Sequence, residues 1–269
     1  MSDVTQASGE LLLQGYLRAL KLPTFKREYA KLARECGSGG ISYESYLEQL
    51  SRLELENREA SAIARRLKEG MFPLAKELSE FRFEAMPSLN RLRVQELFTC
   101  RFVQEKANVV MVGPPGVGKT HLAVALGREA CRRGHHVRFF TAAELAQTYL
   151  DAREHRAVMK LERALRRMAL IVVDELGYLP LGKEGAEHLF GFFSQCYERV
   201  SLVITTNLPF ANWTEIFAGD ERLTGALLDR VTHRVQILEM EGQSYRLKQS
   251  LLQREGGEPP AIARRQQNA

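Results

Sequence analysis

Gly113-Pro114-Pro115-Gly116-Val117-Gly118-Lys119-Thr120 fits the pattern G-x-x-x-x-G-K-[ST], with the apolar residues 109–112 before it and a helical pattern over 121–131 after it. Strand, glycine loop and helix in that order are the context in which this pattern holds phosphates. The glycines let backbone N–H groups turn inward around a phosphate chain, and the helix N-terminus adds its positive end. Lys119 is placed to reach the β- and γ-phosphates, and the Thr120 hydroxyl to ligate magnesium. A glycine-rich turn that binds nothing is the alternative, and it gives no reason for the Lys-Thr pair or for either flank.

Leu170-Ile171-Val172-Val173-Asp174-Glu175 is an apolar strand ending in two adjacent carboxylates. Beside a phosphate loop, Asp174 is expected to hold Mg2+, commonly through water, because that ion takes few protein carboxylates. Glu175 is expected to orient and polarise the attacking water. An acid directly after the metal carboxylate favours ATP hydrolysis over phosphoryl transfer by a small-molecule kinase. Asn207 ends a third apolar run, residues 201–206. Were that strand to lie between the phosphate-loop strand and the Asp174 strand, its amide could touch both water and γ-phosphate; otherwise it is a turn asparagine. Arg230, in Leu228-Asp229-Arg230, is either a cation for the phosphates of a neighbouring subunit or a structural helix-end contact.

Arg156, Lys160, Arg163 and Arg167 recur at steps of four, three and four, which predicts one helix face, with Val158, Leu161, Leu165 and Met168 on another. Arg153 joins this set just ahead of it. Such a stripe binds phosphate backbones in a salt-dependent way, or is an ordinary solvated face.

The elements that must position these groups follow from periodicity. Residues 1–85 read as a small all-α domain: Leu13, Leu17 and Leu20 share a face, Pro23 suits a first helical turn, and Ser42 suits an N-cap for a long helix over 43–69. Tyr43, Tyr46, Leu47, Leu50 and Leu53 give that helix its early apolar face. Residues 81–88 read as the link. Residues 86–250 alternate short apolar runs with helical patterns, which predicts a parallel α/β sheet. Its strands are expected at 109–112, 137–140, 170–173, 202–205 and 235–238, with Gly134 capping a helix. Residues 251–269 form a polar tail.

The 269 residues carry a net charge of +5. Residues 1–90 are neutral, with 13 basic and 13 acidic side chains, so the excess lies in the second part of the chain, which is compatible with a nucleic-acid partner. No apolar run approaches the ~20 residues of a membrane helix. The N-terminus lacks a signal-peptide pattern, and the four scattered cysteines suggest neither zinc nor a disulfide framework. A cytoplasmic protein with no membrane partner is the expectation.

The assembled motifs resemble the IstB-like ATPases, transposition helper proteins of bacterial insertion sequences, within the AAA+ clade of DnaA initiators and DnaC helicase loaders. The likeness runs from about Leu12 to Lys248. Its selective parts are Asp174-Glu175-Leu176-Gly177-Tyr178-Leu179-Pro180-Leu181 and Gly242-Gln243-Ser244-Tyr245-Arg246. The resemblance implies a five-stranded parallel sheet of order 5-1-4-3-2, with ATP and Mg2+ as cofactors. Lys119 and Thr120 match the Walker A pair, Asp174 and Glu175 the Walker B acids, Asn207 the sensor, and Arg230 the trans-acting arginine. Arg246 lies where a second sensor arginine could bind nucleotide. The resemblance further implies a slow ATPase, stimulated by DNA and partner, that forms a homo-oligomer through ATP at subunit interfaces. It would assemble on DNA largely independent of sequence and act on the transposase of its element. A DnaC-like loader of a replicative helicase is the alternative. The chain departs from the family in Phe81-Arg82-Phe83, where Phe-Asp-Phe is common, and in Val117, where threonine is common.

Overall fold

A computed structural model describes residues 2–178, 182–242 and 244–245. Five strands, β1 (Asn108–Val112), β2 (Val137–Thr141), β3 (Leu170–Leu176), β4 (Ser201–Thr206) and β5 (Val235–Glu239), form one sheet in the order β2-β3-β4-β1-β5. All four pairings are parallel. Read from its other edge this is 5-1-4-3-2, the expected order, and all five strands fall where the apolar runs place them.

Alternation along each strand divides the core into two layers, because successive side chains point to opposite faces. Val109, Met111, Leu170, Val172 and Val203 pack on one side with helices α4 (Arg91–Leu97), α5 (Arg101–Gln104) and α6 (Lys119–Arg132). Val110, Ile171, Val173, Leu202 and Ile204 pack on the other with α7 (Ala142–Glu154), α8 (Val158–Leu165), α9 (Gly182–Cys196) and α10 (Glu221–Thr232). Burial on both faces explains why the strands read as continuous apolar runs. Gly134 closes α6 in a left-handed conformation (φ 92°), with its N–H bonded to Cys131 O and the His135 N–H to Ala130 O. This is the expected glycine cap.

The chain divides into two compact units, Met1–Arg65 and Arg66–Ala269. The first holds α1 (Ser2–Ala19), α2 (Pro23–Gly39) and α3 (Tyr43–Glu69) as far as Arg65, and α3 keeps its expected bounds. Ser42 Oγ accepts the Ser45 N–H at 3.2 Å, as an N-cap should. The apolar faces of this unit are less buried than their periodicity predicts. Leu17 and Leu50 are buried, whereas Leu13, Leu20, Tyr43 and Leu47 are exposed. Polar bonds link α2 to α3: buried Glu54 accepts the Thr24 N–H at 2.9 Å and the Tyr46 hydroxyl donates to Tyr29 O at 3.0 Å, while Arg58, one turn along α3, pairs with Glu54 at 2.7 Å.

The expected boundary near residue 85 and this division differ by residues 66–85. Within that stretch Leu67, Phe72, Leu78, Phe81 and Phe83 pack against the first core layer. Among the described residues no helix is long and apolar enough to cross a membrane.

Candidate functional site

The phosphate loop leaves β1 at its C-terminal end, the edge at which open parallel sheets bind ligands. Gly113 N–H donates to Thr206 O at 3.2 Å, holding the loop's first residue against β4. Gly116 (φ 82°) and Gly118 (φ 98°) are left-handed, and Gly118 caps α6. A Cβ at Gly113, Gly116 or Gly118 would overlap Met240 O, Ser244 or Phe81 respectively. The loop therefore needs glycine for its conformation and for the closeness of its neighbours. α6 starts at Lys119, so its first N–H groups open onto the loop. Lys119 Nζ donates to Gly113 O at 2.6 Å and to Pro114 O at 2.8 Å, which keeps the ammonium at the loop.

β3 brings the acids to the same edge. Asp174 is only 3 % exposed. It accepts the Thr120 hydroxyl at 3.1 Å and the Thr205 hydroxyl. Burial pushes its pKa above the ordinary carboxylate range, and the bonds from Thr205, Thr120 and the Glu175 backbone, with the charge of Lys119, only partly offset this. A carboxylate in that state is stabilised by a nearby cation, the chemistry expected of a magnesium ligand. Beside it Glu175 is exposed and left-handed (φ 60°), at an irregularity in the β3–β4 register between Val173 and Leu176. Its N–H donates to Thr205 Oγ1 at 3.0 Å. The bulge turns one carboxylate inward and its neighbour outward, which strict strand alternation alone would not hold in place.

β4 lies between β1 and β3, the condition set for Asn207, which directly follows that strand. Arg230 lies elsewhere. Asn108 Nδ2 donates to Val231 O at 2.9 Å, so the end of α10 lies beside the first residue of β1, whereas the phosphate loop follows its last. A strand of that length separates the two ends by about 13 Å. Arg230 Nη1 donates to Ala226 O at 2.6 Å, and its guanidinium carbon lies 5.4 Å from the Phe190 ring centroid. It therefore stands away from the loop of its own chain. Arg246 lies outside the described residues, as do Leu179, Pro180, Leu181 and Gln243.

The four-residue basic stripe is not a single helix face. α7 ends in a Schellman turn with Arg156 left-handed (φ 52°), its N–H on Arg153 O and the Ala157 N–H on Ala152 O. Only Lys160 and Arg163 lie on α8, while Arg156 and Arg167 lie in the flanking turns. The spacing counted residues across a helix break that no glycine marks. All four, and Arg153, are exposed; Arg153 also lies 3.8 Å from Glu184. Val158, Leu161, Leu165 and Met168 do pack on the second core layer.

Two features were not anticipated. Thr205 binds both acids, and the only sequence signal was a pair of threonines ending an otherwise apolar strand. A cavity of about 360 Å³ also opens beside the loop, lined by Gly116, Gly118, Thr120 and His121 on one side and by Phe81, Arg82 and Tyr245 on others. Volumes of this size take small organic ligands.

Residues 15–253 match the family described as IstB-like ATP binding protein. The chain belongs to that family. IstB-like relatives include a Geobacillus stearothermophilus protein described as an ATP-binding protein of insertion sequence IS5376, 35% identical over 240 residues, covering 89% of this chain and 95% of the relative. A Pseudomonas aeruginosa protein described in the same way for IS21 is 36% identical over 240 residues, covering 88% and 89%. Among solved structures, AMPPCP-bound DnaA from Aquifex aeolicus matches with a TM-score of 0.53 at 19% identity, covering 71% of this chain and 59% of DnaA. The IstB-like chain thus has an AAA+ phosphate-loop fold and belongs with ATP-binding proteins of insertion sequences.

Proposed function

We propose that this chain is an ATP-dependent, DNA-binding transposition helper that assembles on target DNA in the ATP state, recruits or stimulates the transposase of its own element, and is reset by ATP hydrolysis. The observation that carries this reading is the meeting of Thr120, Asp174, Thr205 and Glu175 at the phosphate loop of an IstB-like protein. The loop residues Gly113 to Thr120 would hold the phosphates through backbone N–H groups, with the Lys119 ammonium on the β- and γ-oxygens. Thr120 and Asp174 are the residues that would hold magnesium, which supplies charge neutralisation for the phosphate oxygens. Glu175, turned outward by its bulge, would orient the attacking water and accept its proton. Asn207 would fix that water against the γ-phosphate.

Arg230 would complete the site of a neighbouring subunit. Its position beside the opposite end of β1 supports action in trans, because it stands away from its own loop. On this reading one subunit is an incomplete enzyme, and hydrolysis is slow until DNA and transposase organise the oligomer. The exposed Arg153, Arg156, Lys160, Arg163 and Arg167 are the proposed DNA contacts, acting as separate cations on a helix and its flanking turns.

The partner is tested by capture on immobilised transposase of the same element and, in parallel, on the replicative helicase. Retention on the transposase that depends on ATP is the expected result. ATP-dependent retention on the helicase alone would place the protein with the helicase loaders.

A further inference from the structure

α8 packs one side on the core and leaves the other bare. Val158, Leu161 and Leu165 pack on the second core layer. Glu162, the only acid on this helix, turns towards α9, where Gln195 Nε2 donates to its carboxylate. The opposite side therefore carries no negative charge from α8 itself. It presents Lys160 and Arg163, with Arg156 in the turn before and Arg166 and Arg167 in the turn after, all exposed. Among the described residues none of these five pairs with a carboxylate, unlike Arg153, which meets Glu184. Met159 stands among them, 70 % exposed and one helical turn from Arg163. Val158, Leu161 and Leu165 already seat the helix, so its packing makes no use of Met159.

We propose that Met159 is a wedge that α8 inserts into the minor groove of duplex DNA, parting one base step while the surrounding cations hold the phosphates on either side. The proposal rests on the DNA-binding reading of this segment. Phosphates satisfy the cations but offer nothing to a thioether. A duplex offers both, because its apolar surface is the stack of bases beneath the backbone. Methionine is unbranched and has three rotatable bonds, so it reaches and adapts where a branched side chain does not. Apolar side chains set among Arg and Lys part base steps in this way and kink the duplex. Pyrimidine–purine steps cost least to unstack. The wedge therefore gives DNA binding a preference for TA and CA steps without reading a base edge.

The test separates the wedge from the cations. Two duplexes of equal length and base composition are compared, one rich in TA and CA steps and one poor in them. The rich duplex carries 2-aminopurine in a TA step, where its fluorescence rises on unstacking. Full-length protein with ATP and magnesium is titrated into each at several salt concentrations. The unaltered protein should favour the rich duplex by about fivefold, the low end of what one unfavourable base pair costs, and raise the fluorescence. Met159→Ala should bind the two alike and lose the rise, yet keep the salt slope, because it removes no charge. Met159→Leu, still an apolar wedge, should keep the preference and the rise. Lys160→Gln with Arg163→Gln should flatten the salt slope by about two. A Met159→Ala protein that retains the preference and the rise, or an unaltered protein that binds both duplexes alike, overturns the proposal. An unchanged salt slope in the Lys160 and Arg163 double variant would instead remove the DNA reading of α8 itself, whatever Met159→Ala does.

Discussion

Thr205 donates its hydroxyl hydrogen to Asp174, the buried acid that ends β3, and with the same oxygen accepts the N–H of Glu175 at 3.0 Å. One side chain of the neighbouring strand thus fixes both the acid that would hold metal and the backbone that turns out the acid for water. Thr205→Val keeps the shape and removes both bonds. Bonds to a charged group contribute about 1.5–3 kcal/mol each, so steady-state phosphate release should fall about tenfold or more while ATP affinity changes much less. Thr205→Ser should recover most of the rate. Equal rates for the valine and serine variants would remove Thr205 from the account.

Glu175 adopts a left-handed backbone, which costs a non-glycine residue about 1 kcal/mol or more. Asparagine tolerates that region better than glutamate. Glu175→Asn should therefore raise the melting temperature by about 2–4 °C, the shift that 1 kcal/mol gives a domain of this size, while hydrolysis is lost. A melting temperature that falls would show that the bulge carries no strain worth relieving.

Arg230 is held on Ala226 and Phe190, away from its own loop. If it serves a neighbour, Arg230→Ala and Glu175→Gln subunits are each inactive alone but complement one another when mixed. An equal mixture should recover about one quarter of the wild-type rate, the share of interfaces that pair an intact Glu175 with an intact Arg230. No recovery, in a mixture shown to co-assemble, points to a structural arginine.

Glu77 fastens the segment before Phe81 to α6 by accepting from Arg128 at 2.8 and 3.0 Å and from Arg132 at 2.5 Å. Burial pushes its carboxyl up, but the bonds and charges of Arg132 and Arg128 outweigh this and hold it below the ordinary range. A depressed folded pKa stabilises above the unfolded value of about 4.3, and the contribution is lost as pH falls through the folded value. Glu77→Gln should melt below wild type at pH 7, and the gap should close under acid. A gap that is constant with pH would mean that the ion pairs do not set it.

The sequence reveals more of the phosphate end of the site than of its surroundings. Gly116, Gly118, Lys119 and Thr120 fall within five consecutive residues, so their pattern is local to the chain. The five strands are legible because both faces of the sheet are buried, which makes each strand a continuous apolar run. Thr205 is not legible, because its role needs the β3–β4 register and the bulge at Glu175. Arg82 and Tyr245 meet only through tertiary folding, 163 positions apart. The stripe from Arg156 to Arg167 misled for a local reason, since a left-handed arginine ended α7 where glycine is usual.

The central claim is that ATP governs assembly on DNA. Glu175→Gln, which should hold ATP without hydrolysing it, offers the most direct measurement: its affinity for duplex DNA with ATP and with ADP at one fixed salt concentration. The account predicts DNA bound at least about a hundredfold more tightly with ATP, a coupling at the upper end of those linking two sites. Equal affinities in the two nucleotide states would contradict it.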